Sequence, residues 1–135
     1  MSTIAEFFIA PDDDAAATVV GHGPDGDEVA RYGNFSPDIA MGEWESAFGI
    51  VRDDGPRTLA HDGDSFVFAA SASLQAALAA ANREQLTQAA VRWAELRADD
   101  DEEIHPEFAS DILSEMASLA RTATERGHRL YCWWG

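Results

Sequence analysis

Residues 106–135 read PEFASDILSEMASLARTATERGHRLYCWWG, a helix-forming run followed at once by a strand-forming one. Phe108, Ile112, Met116, Leu119 and Ala123 follow one another at steps of four, four, three and four. That spacing stacks apolar side chains on one face of an α-helix. Pro106 and Glu107 open the helix: proline is tolerated in a first turn, and an acid there meets the positive end of the helix dipole. Gly127 ends it, because a left-handed C-cap carries no steric penalty without a Cβ. Arg129 to Trp134 is too short and too aromatic to continue a helix and is expected as a closing strand. A long amphipathic helix followed at once by a strand predicts that this strand returns to a sheet begun elsewhere.

Outward from this stretch, the same signals recur. Asn82 and Gln85 form a capping box for a helix over 83–98, with Leu86, Ala90, Trp93 and Leu96 at helical spacing. Ser71 caps a helix over 72–81 carrying Leu74 and Leu78. Ser36-Pro37-Asp38 is a capping hydroxyl, a first-turn proline and an acid, and it starts a helix over 37–48 with Met41, Trp44 and Phe48 on one side. Asp12 to Asp14 start a short helix over 12–20, stopped by Gly21. Thr3 to Ile9 reads as a buried opening strand, and Glu28 to Tyr32 as a short one. Residues 57–60 and 65–69 pair as a hairpin across His61-Asp62-Gly63-Asp64, with Phe66 and Phe68 on one side and Val67 on the other. Strands and helices do not alternate regularly, so the fold class is α+β. The expectation is a single domain over 1–135: a small mixed sheet that includes the N- and C-terminal strands, packed by about five helices.

The chain has 135 residues, 46% of them hydrophobic, which is enough for one core. Nine basic residues stand against 25 acidic ones, for a net charge of −16. Every basic residue is arginine, and alanine runs occur at 15–17 and 79–81. Such a composition is typical of a GC-rich genome or of a salt-adapted proteome. The charge argues against nucleic acid and against anionic membranes, since both bind through Lys and Arg. It favours a basic protein partner, chiefly through association rate. There is no intramolecular disulfide, because Cys132 is the sole cysteine. No apolar run approaches the ~20 residues of a membrane helix, and residues 1–6 lack a basic and then apolar leader pattern. A cytoplasmic location is expected.

Candidate chemistry is sparse. Gly21, Gly23 and Gly26 have dinucleotide-loop spacing, but no strand and helix flank them, and Asp25 and Asp27 repel phosphate. His61, Asp62 and Asp64 offer metal-ligand types in one turn, and His105 lies beside the acidic run 99–103. That run lacks the alternation and central glycine of a calcium loop. Glu6, between apolar neighbours, is either buried, with its pKa raised, or on a solvated strand face. Cys132, among Tyr131, Trp133 and Trp134, reads as inert packing. Trp133 and Trp134 point to opposite sides of the closing strand; one packs in the core and the other is exposed or covers a pocket, a candidate partner contact. No cofactor is expected, and no catalytic residue is assigned.

From Ser71 onward the pattern resembles the YfbM-like family, bacterial domains with no established function. The likeness lies in Leu78-Ala79 and Glu84-Gln85-Leu86 on the paired helices, and in Glu103 to Pro106 before the last helix. It continues in Ala123 to Gly127 at that helix's end and in the short hydrophobic strand after it. The Glu43-Trp44-Glu45 helix falls where the family has a Trp-bearing helix. The resemblance covers about half the chain and implies an α+β fold; it brings no site residues.

Three functional readings follow from the sequence. The first is a non-catalytic protein-binding or accessory domain of immunity type that neutralises a basic partner. The second is a small metal-dependent hydrolase using His61, Asp62, Asp64 or His105. The third is an acidic housekeeping domain without a specific basic partner.

Overall fold

The structure is a computed structural model and describes residues 4–24, 29–33, 36–50, 55–99 and 104–135. Along the chain run β1 (Ile4–Ala10), α1 (Asp13–Ala17), β2 (Ala30–Gly33), α2 (Pro37–Ala47), β3 (Arg57–His61) and β4 (Phe66–Ala69). Then come α3 (Ala72–Ala80), α4 (Arg83–Asp99), α5 (Pro106–Arg126) and β5 (Arg129–Trp134). The fold is α+β. The sheet order is β2-β1-β5-β4-β3, so the closing strand lies at the centre, between the opening strand and the hairpin. Every pairing is antiparallel, where a mixed sheet was the expectation. Antiparallel neighbours need no same-sense crossover; α2 to α5 cover one side of the sheet and α1 lies against the other.

Local chemistry sets the element ends. Ser71 Oγ accepts the Leu74 N–H at 3.1 Å. Asn82 and Gln85 exchange bonds of 2.8 and 2.9 Å, a reciprocal capping box. Gly127 sits at φ 69° and ψ 26°, and the His128 N–H after it returns to Ala123 O at 2.7 Å. Asp12 Oδ1 caps α1 through Ala15 N at 2.8 Å. That helix is only five residues long, because the β-branched Thr18-Val19-Val20 run turns instead of extending it. Ser36 makes no side-chain cap, contrary to expectation. Pro37 follows it and has no N–H to offer, so one orphan donor is already absent.

Alternation along the strands splits the sheet's two sides. Phe7, Phe68, Leu130 and Cys132 join the main core under α2 to α5. Phe8, Val67, Ala69 and Tyr131 form a smaller core with Ala16 of α1. In the main core Trp44 stacks near Phe7 and meets Trp93 edge-on, each at 5.4 Å between centroids. Each such large side chain contributes roughly 1.5–3 kcal/mol on burial. On α5, Ala109, Ile112, Leu113, Met116 and Ala117 are buried, but Phe108 is 52% exposed. It lies one position off the centre of that stripe in the first turn, so spacing alone misassigns it.

Candidate functional site

The cross-strand register builds one row of rings at an end of the sheet. His61 lies opposite Phe66, and Phe66 opposite Trp134. Their centroids are 5.8 and 5.9 Å apart, with tilts of 30° and 34°. Phe68 backs the row, stacked on Phe66 at 5.9 Å and 6.3 Å from Trp134. His61 is exposed, whereas Phe66 and Trp134 are half-buried. The Trp134 indole N–H is buried and has no hydrogen-bond partner among the described residues.

The hairpin turn adds charge beside this row. Gly63 takes φ 94°, and Asp62 Oδ1 accepts the N–H groups of Ser65 at 2.8 Å and Asp64 at 3.1 Å. The Ser65 and then the Asp64 N–H groups hold the Asp62 carboxyl below the usual carboxylate range, so it stays ionised. Asp64 is exposed.

His105 lies far along the chain, as the N-cap of α5, its Nδ1 accepting the Glu107 N–H at 3.2 Å. Among the described residues no three His, Cys, Asp or Glu side chains stand together to hold a metal ion. Residues 25–28 and 100–103, which include Gly26, Asp25, Asp27 and most of the acidic run, lie outside the described residues.

The two closing tryptophans are both half-buried, where one was expected in the core and the other exposed or over a pocket. They serve opposite sides, as the alternation predicts. Trp133 joins the smaller core and donates its indole N–H to Val20 O at 2.9 Å. The Ser65 hydroxyl donates to the same carbonyl. Glu6 is buried, 7% exposed, and accepts from Arg31 Nε at 2.8 Å and from its terminal nitrogen at 2.6 Å. It is a paired structural carboxylate. Cys132 is fully buried, and burial pushes its thiol well above the usual value, so it is protonated and inert at neutral pH.

Most of the described arginines are committed to contacts within the chain. Arg31, Arg57 and Arg97 pair with Glu6, Asp13 and Glu43. Arg92 and Arg121 donate to carbonyls of Ala47, Ala79 and Ala81 at the ends of α2 and α3. Five arginines thus serve contacts within the chain; of the carboxylates they leave, Glu45 is buried against Ser71, and most of the others described are exposed. No sequence signal marked the ring row as a whole. His61 and Phe66 flank the turn symmetrically and were pairable from the hairpin, but Trp134 joins them only because β5 inserts beside β4.

No helix among the described residues is long and apolar enough to cross a membrane. Comparison with known proteins returns no family model, no curated protein and no solved structure that matches this chain.

Proposed function

We infer that this domain is a non-catalytic binding module for a basic protein, an accessory or immunity-type role. The observation that carries the reading is the row His61–Phe66–Trp134, exposed at His61 and partly buried at the two others, beside a turn whose Asp62 is held ionised. Aromatic side chains give large contact area at low entropic cost, and their negative faces attract cations. A surface with few uncommitted arginines and a net charge of −16 draws a basic partner to the protein, and the ionised Asp62 beside the row adds a local acid there. The YfbM-like resemblance belongs to the same proposal and speaks only to the fold. So does the cytoplasmic location, where such a partner would be met.

The test is the salt dependence of capture. A specific basic partner is retained from native lysate at moderate salt, and the exposed-residue variant His61→Ala with Asp64→Lys loses it. Retention that the variant leaves unchanged, or that an unrelated domain of equal size and charge reproduces, contradicts the reading.

A further inference from the structure

We propose that the groove between the second half of α4 and the start of α5 docks a short basic amphipathic helix of a partner protein. This rests on the reading that the chain binds a basic protein, and it adds a surface separate from the aromatic row. The groove is a shallow, open depression of about 520 Å³, and its walls include Val91, Ala94, Glu95, Ala98, Ile104 and Pro106. On α4 these are positions i, i+3, i+4 and i+7, a second stripe beside the one that buries Ala90 and Trp93. Val91 is 44% exposed, unusual for a large apolar residue in this chain. The stripe from Val91 to Ala98 runs about 10 Å, which matches two turns of a partner helix laid in a groove.

Charge selects the occupant. The arginines in this half of α4 turn towards α2. Arg92 donates to Ala47 O at 3.1 Å, and Arg97 pairs with Glu43 at 2.7 Å. Arg83 is twelve residues before Glu95, roughly 18 Å along the helix. The acids are disposed otherwise: Glu95 lines the groove, and Asp99, one turn further on, is exposed, as is Glu107 in the first turn of α5. His105 uses its Nδ1 to cap α5, accepting the Glu107 N–H at 3.2 Å. An apolar floor edged by carboxylates complements a helix with an apolar stripe flanked by Lys or Arg, and repels an acidic one.

The test uses the full chain and two synthetic helical peptides of roughly 15 residues, long enough to hold helicity. Both carry leucines at i, i+3, i+4 and i+7; one is flanked by Lys and Arg, the other by Glu. The basic peptide should bind, and its fluorescence anisotropy titration should weaken at least about tenfold in Glu95→Arg/Asp99→Arg and in Val91→Ser, with thermal melts verifying that each variant is folded. It should also protect amides of 91–98 from hydrogen exchange, and the acidic peptide should not bind. Equal binding of both peptides, no binding of the basic one, or binding indifferent to both groove variants overturns the proposal. Basic-peptide binding lost in His61→Ala but kept in the groove variants overturns the groove while leaving the basic-partner reading in place.

Discussion

Trp133 and Val20 tie the turn after α1 to the sheet: the indole Nε1–H of Trp133 donates to the Val20 carbonyl at 2.9 Å. The turn is also fixed from below, because a Cβ at Gly23 would stand 3.1 Å from Glu6 Oε2 and 3.6 Å from the Trp133 ring, at φ 83°. Trp133→Phe keeps most of the ring and loses the bond, so we expect a loss of about 1 kcal/mol. Gly23→Ala meets both the left-handed backbone and the crowded carboxylate and should cost about 1–3 kcal/mol. Chemical denaturation of the two variants checks the order, with Gly23→Ala the worse.

Glu45 and Ser71 make a buried contact between α2 and the start of α3. Both are nine-tenths buried, and the Ser71 hydroxyl donates to the Glu45 carboxylate while its oxygen caps Leu74 N. Ser71→Ala removes a cap and a donor to a buried acid together, for an expected loss of roughly 1–3 kcal/mol. Glu45→Leu in the same background should recover part of that, because the stranded acid is gone. A double-mutant cycle reads the coupling, and additive losses would show that the contact contributes nothing.

Acid and base should both weaken the smaller core through one pair. Tyr131 donates to Asp13 Oδ1 at 2.8 Å. That bond, and then Arg57, lower the Asp13 pKa from its ordinary 3.8. Burial, and then Asp13, raise the Tyr131 pKa above its ordinary 10.0. Asp13 therefore stabilises fully above pH 3.8, and its contribution is lost as pH falls through the lowered folded value. The Tyr131 contribution is complete below pH 10.0 and is lost as pH rises beyond it. Urea midpoints followed across pH should decline at both ends, and Tyr131→Phe should reduce the alkaline decline, leaving the part that begins above pH 9.0 with the buried Cys132 thiol.

Cys132 is fully buried with its thiol pKa pushed up by desolvation. A thiol reagent should modify it only under denaturing conditions, with the rate tracking unfolding. Rapid labelling of the native protein at neutral pH would contradict the packing described for β5.

Much of this fold was legible because its signals are local. The Ser71 cap, the Asn82–Gln85 box, the Gly127 C-cap and the turn at Asp62-Gly63 each depend on residues within a few positions, and each forms as the sequence implies. What was not legible depends on distant packing. Phe108 has the right spacing for burial but lies at the margin of the α5 stripe. Trp134 reaches the ring row only through the pairing of β5 with β4, between segments about 65 residues apart in the chain. His61, Asp62 and Asp64 adjoin by sequence, but His105 belongs to another helix, so a shared metal site has no geometric support among the described residues.

Docking of a basic protein on the row His61–Phe66–Trp134 is read by quantitative affinity capture from native lysate with three baits: the wild-type chain, the His61→Ala/Asp64→Lys variant, and an unrelated domain of equal size and charge. A basic protein should be held near one-to-one by the wild type alone and reduced at least about tenfold on the variant, a loss of about 1.4 kcal/mol or more in binding. Equal capture by the wild type and the charge-matched control would contradict it, and would make the acidity a property of the surface as a whole.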